Sequence, residues 1–589
     1  MKKWIYSGTR EEQPSERELM HGKLAKKAAS EGIVLLKNEG ILPLKKDTAA
    51  ALLGYGAEKT VKGGIGSGDV NNRKNISIYQ GLKEAGVKIV SEDWISDYHN
   101  RYEQAREAWK EKVLEEAKKV DNPFDAYAEN PFAMPLGRKV AEEDICEADV
   151  VIYVISRISG EGKDRRKVKG DYYLSEREEE DLRYLAEMNK PVILILNAGG
   201  PVELTDILEQ TDNIKGILNI SQLGQEGGDA LADVLLGKEV PGGKLTTTWA
   251  RRYEDYPASE EYGYLNGNLE KEKYKEGIYV GYRYFDSFDK KVMFPFGFGL
   301  SYTMFEMKCC SINMEESKIR AEVQVTNTGN EYAGKEVVQI YLHAPQGLLG
   351  KADKSLCAFE KTRLLQPGET QLLSFEISMD KQASYDDLGK IKKSAYVLEK
   401  GDYTFYVGTS VEQTMQADFV YTLEEDKIVE QLTSKLVPSV LKKRMLSDGT
   451  FEELPQTEPA DTDACAIPFE AKEPLDGLTP KTRVIEPVCL WKWRYKEGIR
   501  PFTEVAEGKM SLDEFLAQMT DEELAHLLGG QPNTGVSNTF GIGNMPFRPL
   551  LRRTDRRDCV SNRSAVSIQR HGHVPHCWHL PGIRTLFTG

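Results

Sequence analysis

Two stretches constrain this chain more than any others, Val150-Val-Ile-Tyr-Val-Ile155 and Val192-Ile-Leu-Ile-Leu196, both apolar throughout. Strand side chains alternate between two faces, so an uninterrupted apolar strand means that both faces are covered, as in a sheet buried between helices. The flanking sequence agrees. Between about Ser15 and Gly237 the patterns alternate: Glu16–Leu36 reads as helix, Ala49–Leu53 as strand, Ile76–Ala85 as helix, Val87–Val90 as strand, and about Trp94–Lys119 as a charged helix. Ser175-Glu-Arg-Glu178 is a capping box opening a helix to about Met188. A helix near Val202–Gln210, a strand at Gly216–Ile220 and a helix at Gln225–Leu236 complete the series. The alternation predicts a largely parallel α/β sheet.

After about Tyr302 the period changes to two. Ile319–Val325, Glu336–Leu342, Gln371–Ile377 and Tyr403–Val407, with turns such as Pro367-Gly368 between them, predict a small β-sandwich. Residues 422–500 are polar and Pro-spotted, and read as a linker. Two successive capping boxes, Ser511–Glu514 and Thr520–Glu523, then open a second α/β region.

Composition narrows the function classes. A net charge of −15 argues against nucleic acid as the main partner. The eight cysteines have no framework spacing and read as free thiols of a reducing compartment. The first residues, Met1–Gly8, lack the apolar stretch of a secretory signal, and no run approaches the roughly 20 residues of a membrane span. The expectation is a soluble, cytoplasmic protein. Residues 547–589 stand apart: they hold 8 Arg, 2 Asp and no Lys or Glu, net +6 against −21 for the remainder, and four of the eight histidines.

The sharpest chemical signal is Ser159-Gly-Glu-Gly-Lys-Asp-Arg165, directly after the first buried strand. The loop leaving the carboxyl end of a parallel strand is where α/β proteins bind ligands. Glycines on either side let the backbone bring Glu161 close to one. The bland alternative is a solvated carboxylate paired with Lys163 or Arg165. Gly63-Gly-Ile-Gly-Ser-Gly-Asp69 suggests a phosphate cradle, but no strand–GxGxxG–helix order holds and no Lys-Ser/Thr follows, so a flexible loop at a site mouth is the better reading. Asn197-Ala-Gly-Gly-Pro201 reads as a turn. The tail's Cys559, His571, His573, His576, Cys577 and His579 match no zinc framework, and no metal or other cofactor is expected.

Several of these segments resemble glycoside hydrolase family 3. Ala29–Asn38, Gly63–Asp69, Ser159–Arg165, Gly170-Asp-Tyr-Tyr-Leu-Ser175, Pro241-Gly-Gly-Lys-Leu245 and Phe294–Tyr302 look like its α/β-sandwich domain. Val325-Thr-Asn-Thr-Gly329 to Tyr341, with Pro367-Gly-Glu369, resembles its fibronectin-III-like domain, and Lys509–Asn544 the opening of its TIM barrel. The resemblance implies a permuted domain order: α/β sandwich at 15–301, fibronectin-III-like domain at 302–421, linker at 422–500 and barrel start at 501–546. It also implies a retaining β-glucosidase-type hydrolysis of terminal β-linked sugars in carbohydrate metabolism. One carboxylate attacks the anomeric carbon, while a second, roughly 5–5.5 Å away, protonates the leaving oxygen and later activates water. The resemblance puts the acid/base on Glu161 and makes Ser67 and Asp69 candidate substrate contacts. The nucleophilic Asp of the barrel has no counterpart among residues 1–589. The alternative is a non-catalytic carbohydrate-binding or assembly module; oligomeric state is not legible.

The tail has its own explanation. Joining the third base of each codon to the first two of the next turns Asp558/Cys559, His576/Cys577 and Cys577/Trp578 each into Leu, and Trp578/His579 into Ala, whatever codons are used. In that frame Arg553–Ser561 permits DGPAGLRI and Ile568–His579 permits TTAWPCATLLA, two stretches of the family's barrel. Residues from about Phe547 onward are therefore expected to be an out-of-frame reading without a designed fold. The barrel would then be truncated, and the chain inactive by itself. The helices near 511–528 would expose Phe515, Leu516, Leu524, Leu527 and Leu528.

Overall fold

The structure is a computed structural model. It describes residues 13–65, 72–120, 126, 129–130, 132–160, 165–262, 273–315, 318–433, 441–456, 500 and 503–518. The chain divides into two units, Gln13–Gln456 and a second formed by Met1–Glu12 with Thr457–Gly589.

Helix α1 (Glu16–Gly32) opens on a capping box in which Ser15 and Glu18 bond reciprocally. It stops at Gly32, four residues before the expected end, because Ile33 turns extended and Val34–Asn38 becomes strand β1. Val34, Leu35 and Leu36 are consecutively buried. A helix would have turned one of them to solvent.

The remaining strands of the first sheet are β2 (Ala49–Leu53), β3 (Lys88–Ile89), β4 (Val150–Ser156), β5 (Val192–Asn197) and β6 (Ile214–Asn219), in the order β1-β6-β5-β4-β2-β3. The pairs β2–β3, β2–β4, β4–β5 and β5–β6 are parallel, as expected. The edge strand β1 pairs antiparallel with β6, so the sheet is mixed. β4 and β5 are buried at every residue, which is what their apolar runs required. Between the strands lie α2 (Ile78–Glu84), α3 (Glu92–Ala117), α4 (Glu142–Ile145), α5 (Glu176–Glu187), α6 (Thr205–Gln210) and α7 (Gly227–Leu235). α2 and α7 cross at backbone contact: a Cβ on Gly81 would lie 2.3 Å from Gly228, and one on Gly228 would lie 1.9 Å from the Ser77 carbonyl oxygen.

Asp181 of α5 is buried beneath this sheet, accepting from the Val140 amide at 3.2 Å and the Tyr153 hydroxyl at 3.0 Å. Burial pushes its carboxyl up to about 6. A carboxyl whose folded value exceeds its unfolded value binds its proton more tightly when folded. Its contribution is therefore present below about pH 4 and is lost as pH rises through about 6. Relative to Asp181→Asn, the native protein is expected to lose about 3 kcal/mol of stability between pH 4 and pH 7. Urea titrations of both proteins across that range would show it; a pH-independent gap would contradict it.

Beyond the sheet, β7 (Trp249–Ala250) and β8 (Val292–Phe294) pair around α8 (Tyr282–Ser287) and lead into a β-sandwich. Its strands are β9 (Phe305–Glu315), β10 (Lys318–Asn327), β11 (Val337–His343), β12 (Ser355–Lys361), β13 (Thr370–Ser378), β14 (Ser384–Asp386), β15 (Ala395–Leu398), β16 (Gly401–Gly408), β17 (Thr414–Leu423) and β18 (Lys427–Gln431). Sheets β13-β10-β9 and β12-β11-β16-β17 enclose a core that includes Ile319, Val323, Ile340, Tyr403 and Phe405. Gln339 joins the sandwich to the first domain by donating to the Gly297 carbonyl at 3.1 Å, and Lys244 pairs with Glu336 at 2.7 Å.

The segment read as a linker is partly ordered. β18 pairs with β15, and β19 (Lys443–Met445) forms a hairpin with β20 (Phe451–Glu453). These strands are short and mostly exposed, so they carry little apolar signal. In the second unit, α9 (Thr503–Ala506) and α10 (Leu512–Leu516) are described, and Ser511 and Glu514 form the expected capping box. Phe515, expected on the surface, is buried at 2% exposure. The Thr520–Glu523 box, Leu524, Leu527, Leu528 and residues 547–589 lie outside the described residues.

Candidate functional site

At the carboxyl edge of the sheet, four loops leave β2, β4, β5 and β6 side by side, and Asn197 at the end of β5 ties them together. Its Oδ1 accepts from the Val61 amide at 2.8 Å and the Ser156 hydroxyl at 2.9 Å. Its Nδ2 donates to the Val61 carbonyl at 2.9 Å and the Ser221 carbonyl at 2.7 Å. Asn197 is fully buried, so its amide must satisfy both donor and acceptor capacity inside the protein, and here it does. Sequence reading treated it as the first residue of a turn. The available signal was an amide closing an otherwise apolar strand.

The two glycine-rich loops meet here. Ile65 and Gly160 form a parallel bridge, and the Ile65 amide donates to the Ser159 carbonyl at 3.1 Å. A Cβ on Gly160 would stand 2.4 Å from the Ile65 carbonyl oxygen, so only glycine permits this approach. Gly63–Ile65 therefore works as a strand-like partner of the β4 loop. Among the described residues the next helix, α2, begins only at Ile78, whereas a phosphate cradle opens directly into one. Ser67, Asp69 and Glu161, the candidate site residues, lie outside the described residues, as do Lys163 and Asp164.

What the structure does describe is how the β4 loop is anchored at both ends. At its start, Arg157 is buried and makes a two-pronged pair with Glu178 at 2.8 and 2.7 Å. It also donates to the carbonyls of Ser156 (2.9 Å), Asp171 (2.7 Å) and Tyr173 (3.2 Å). Against the cost of burial, Glu178 holds the guanidinium above its ordinary value. Glu178 has a second task, closing the capping box of α5 by accepting from the Ser175 amide at 2.7 Å. At the loop's far end Arg165 pairs with Asp171 and donates to the carbonyls of Asp171 (2.6 Å) and Pro201 (3.3 Å). Asp171 also accepts from the Arg166 amide at 2.7 Å. The pairing partner of Arg165 is thus a residue of the same loop's return, held by a turn at Gly170 with φ of 82°.

Chemically, the edge offers a rigid frame in which the buried Arg157 and the half-buried Arg165 fix the two ends of a short loop, with a second glycine-rich segment, Gly63–Ile65, beside its start. Among the described residues, no group of three or more His, Cys, Asp or Glu side chains is placed to hold a metal ion. The histidine-rich tail lies outside them.

Comparison with known proteins places these features in a common setting. Residues 33–302 match the glycosyl hydrolase family 3 C-terminal domain, and residues 336–411 match a fibronectin type III-like domain. The chain is 42% identical over 572 residues to β-glucosidase A of Butyrivibrio fibrisolvens, a match covering 89% of this chain and 66% of that protein. It is 35% identical over 511 residues to a β-glucosidase of Ruminococcus albus, covering 85% and 49%. The chain therefore spans about half to two thirds of these relatives' length. Among solved structures, a β-glucosidase of Paenibacillus barengoltzii superposes with a TM-score of 0.67 at 32% identity, covering 88% of this chain and 55% of that one. β-Glucosidase 3B of Thermotoga neapolitana in complex with α-D-glucose superposes at 0.60 with 37% identity, covering 70% and 55%.

Proposed function

The chain belongs to glycoside hydrolase family 3, and on that premise we propose that it carries the acid/base lobe of a retaining β-glucosidase acting on terminal β-linked glucosides. Glu161 protonates the glycosidic oxygen as a carboxylate from a barrel lobe attacks the anomeric carbon and the carbon–oxygen bond breaks. The same Glu161, now ionised, takes a proton from water as that water attacks the glycosyl-enzyme and releases the nucleophile. No redox step or cofactor enters this balance.

The observation that carries the reading is the Ile65–Gly160 bridge. It starts the Glu161 loop and the Ser67–Asp69 loop from one point on the carboxyl edge, where a sugar and its acid have to meet. Relatives named as β-glucosidases support the reaction class. The out-of-frame reading of residues 547–589 belongs to the same proposal.

The test uses residues 1–546 continued in frame into a barrel. This protein is expected to hydrolyse aryl β-glucosides, and Glu161→Gln to lower the rate about 10²–10⁴-fold. The loss should be larger for alkyl than for dinitrophenyl glucosides, because a good leaving group needs less protonation. A rate indifferent to Glu161→Gln would end the proposal.

A further inference from the structure

Helix α3 does more than connect two strands. At its start the Ser91 hydroxyl donates to the Leu52 carbonyl at 2.9 Å and accepts from the Leu52 amide at 2.8 Å, one residue before the end of β2. Two turns later Tyr98 stacks on Tyr55, just past the end of β2, with centroids 5.9 Å apart. One turn further, Glu103 accepts from Lys59 at 2.8 Å, and the Lys59 ammonium lies 4.9 Å over the Tyr102 ring. The axis thus climbs along β2 and past the carboxyl edge. From Glu103 to Ala117 the helix adds about 20 Å of rise. The chain returns to the sheet by way of Met134, which packs against the core, and Arg138, which pairs with Asp144 of α4 at 2.6 Å. The upper half of α3 forms a pillar whose base, at Tyr102, packs against the core, and Lys59, which braces it, belongs to the same loop as Gly63–Ile65.

The pillar carries an unusual cluster. The Arg106 guanidinium lies 4.5 Å over the ring of Trp109 and 5.0 Å over that of Phe132. Phe132 meets Tyr102 edge-on at 5.2 Å and Trp109 at 5.7 Å. All four side chains are half-buried. Among the described residues Arg106 makes no hydrogen bond or ion pair. A guanidinium packed over aromatic rings still carries five N–H donors in its own plane. Rings that cover the apolar face of a small molecule, beside a few oriented donors, are the chemistry of a ligand wall.

We propose that this cluster is the wall against which the leaving-group unit of a β-glucoside rests, with the rings covering its C–H face and Arg106 donating to its hydroxyl oxygens. The inference rests on the glycosidase reading above and names specificity determinants for it. Binding is measured on the 589-residue chain by calorimetry, with cellotetraose and phenyl β-D-glucoside as probes. Saturable binding is expected, weakened about tenfold in Trp109→Ala and in Arg106→Met, the loss of one or two directed contacts. Arg106→Met keeps the bulk of the stack, so its Tm should stay close to that of the native chain while its affinity falls. Leu114→Ala, on the exposed face of the same helix, should bind normally. The acid/base assignment is tested separately, by hydrolysis in the protein continued in frame into a barrel, so its failure would leave this binding result standing. Absence of binding by the native chain, or Arg106→Met and Trp109→Ala that bind like it, would overturn the proposal. So would an Arg106→Met protein that loses stability while retaining affinity, which would make the cluster a structural prop.

Discussion

Replacing Arg157 with methionine is expected to cost the first domain about 3–5 kcal/mol, the loss seen when one partner of a buried ion pair is removed. Both side chains of the Arg157–Glu178 pair are almost fully enclosed, at 3% and 1% exposure. Methionine fills much of the volume but leaves the Glu178 carboxylate without its counter-charge and strips donors from three carbonyls of the β4 loop. Adding Glu178→Gln should recover part of the loss, because glutamine still closes the capping box and no longer carries a charge. The recovery is a coupling energy, and a double-mutant cycle in urea reads it directly. A single-variant loss below about 1 kcal/mol would mean that the pair behaves like a surface ion pair and does not anchor the loop.

That pair also shows which parts of the molecule the sequence discloses. Ser175 and Glu178 are three residues apart, so their capping box is a local pattern and was legible. Arg157 is 21 residues from Glu178, and nothing local announces their contact. The same division runs through the fold. β4 and β5 are apolar on both faces and declare themselves. β1 is hidden because its five residues follow α1 after a single extended residue, and its partner β6 lies about 180 residues on. β18, β19 and β20 are short and exposed, so their pairing comes from backbone bonds that leave no hydrophobic period. At the site, the loops that leave the strands were found from their glycines. The amide hub at Asn197 was not, since one polar residue at a strand end is compatible with many roles until its four partners are known.

The second large effect concerns turnover. A polypeptide limited to residues 1–589 is expected to hydrolyse an aryl β-glucoside about 10⁶-fold more slowly than residues 1–546 continued in frame into a barrel, the scale of loss when a nucleophile leaves a catalytic unit. The expectation follows from the proposed two-lobe mechanism: retention needs two carboxyl groups about 5–5.5 Å apart, the second of them supplied by a barrel lobe opposite Glu161. Within the 1–589 polypeptide, Glu161→Gln should therefore leave the residual rate unchanged, in contrast to its large effect in the extended protein. The nucleotide sequence past codon 546 bears on the same point, since a slipped frame there would place the DGPAGLRI-like and TTAWPCATLLA-like stretches back in register. A near-normal rate from residues 1–589, sensitive to Glu161→Gln, would require a nucleophile among the residues already present and would refute the two-lobe account.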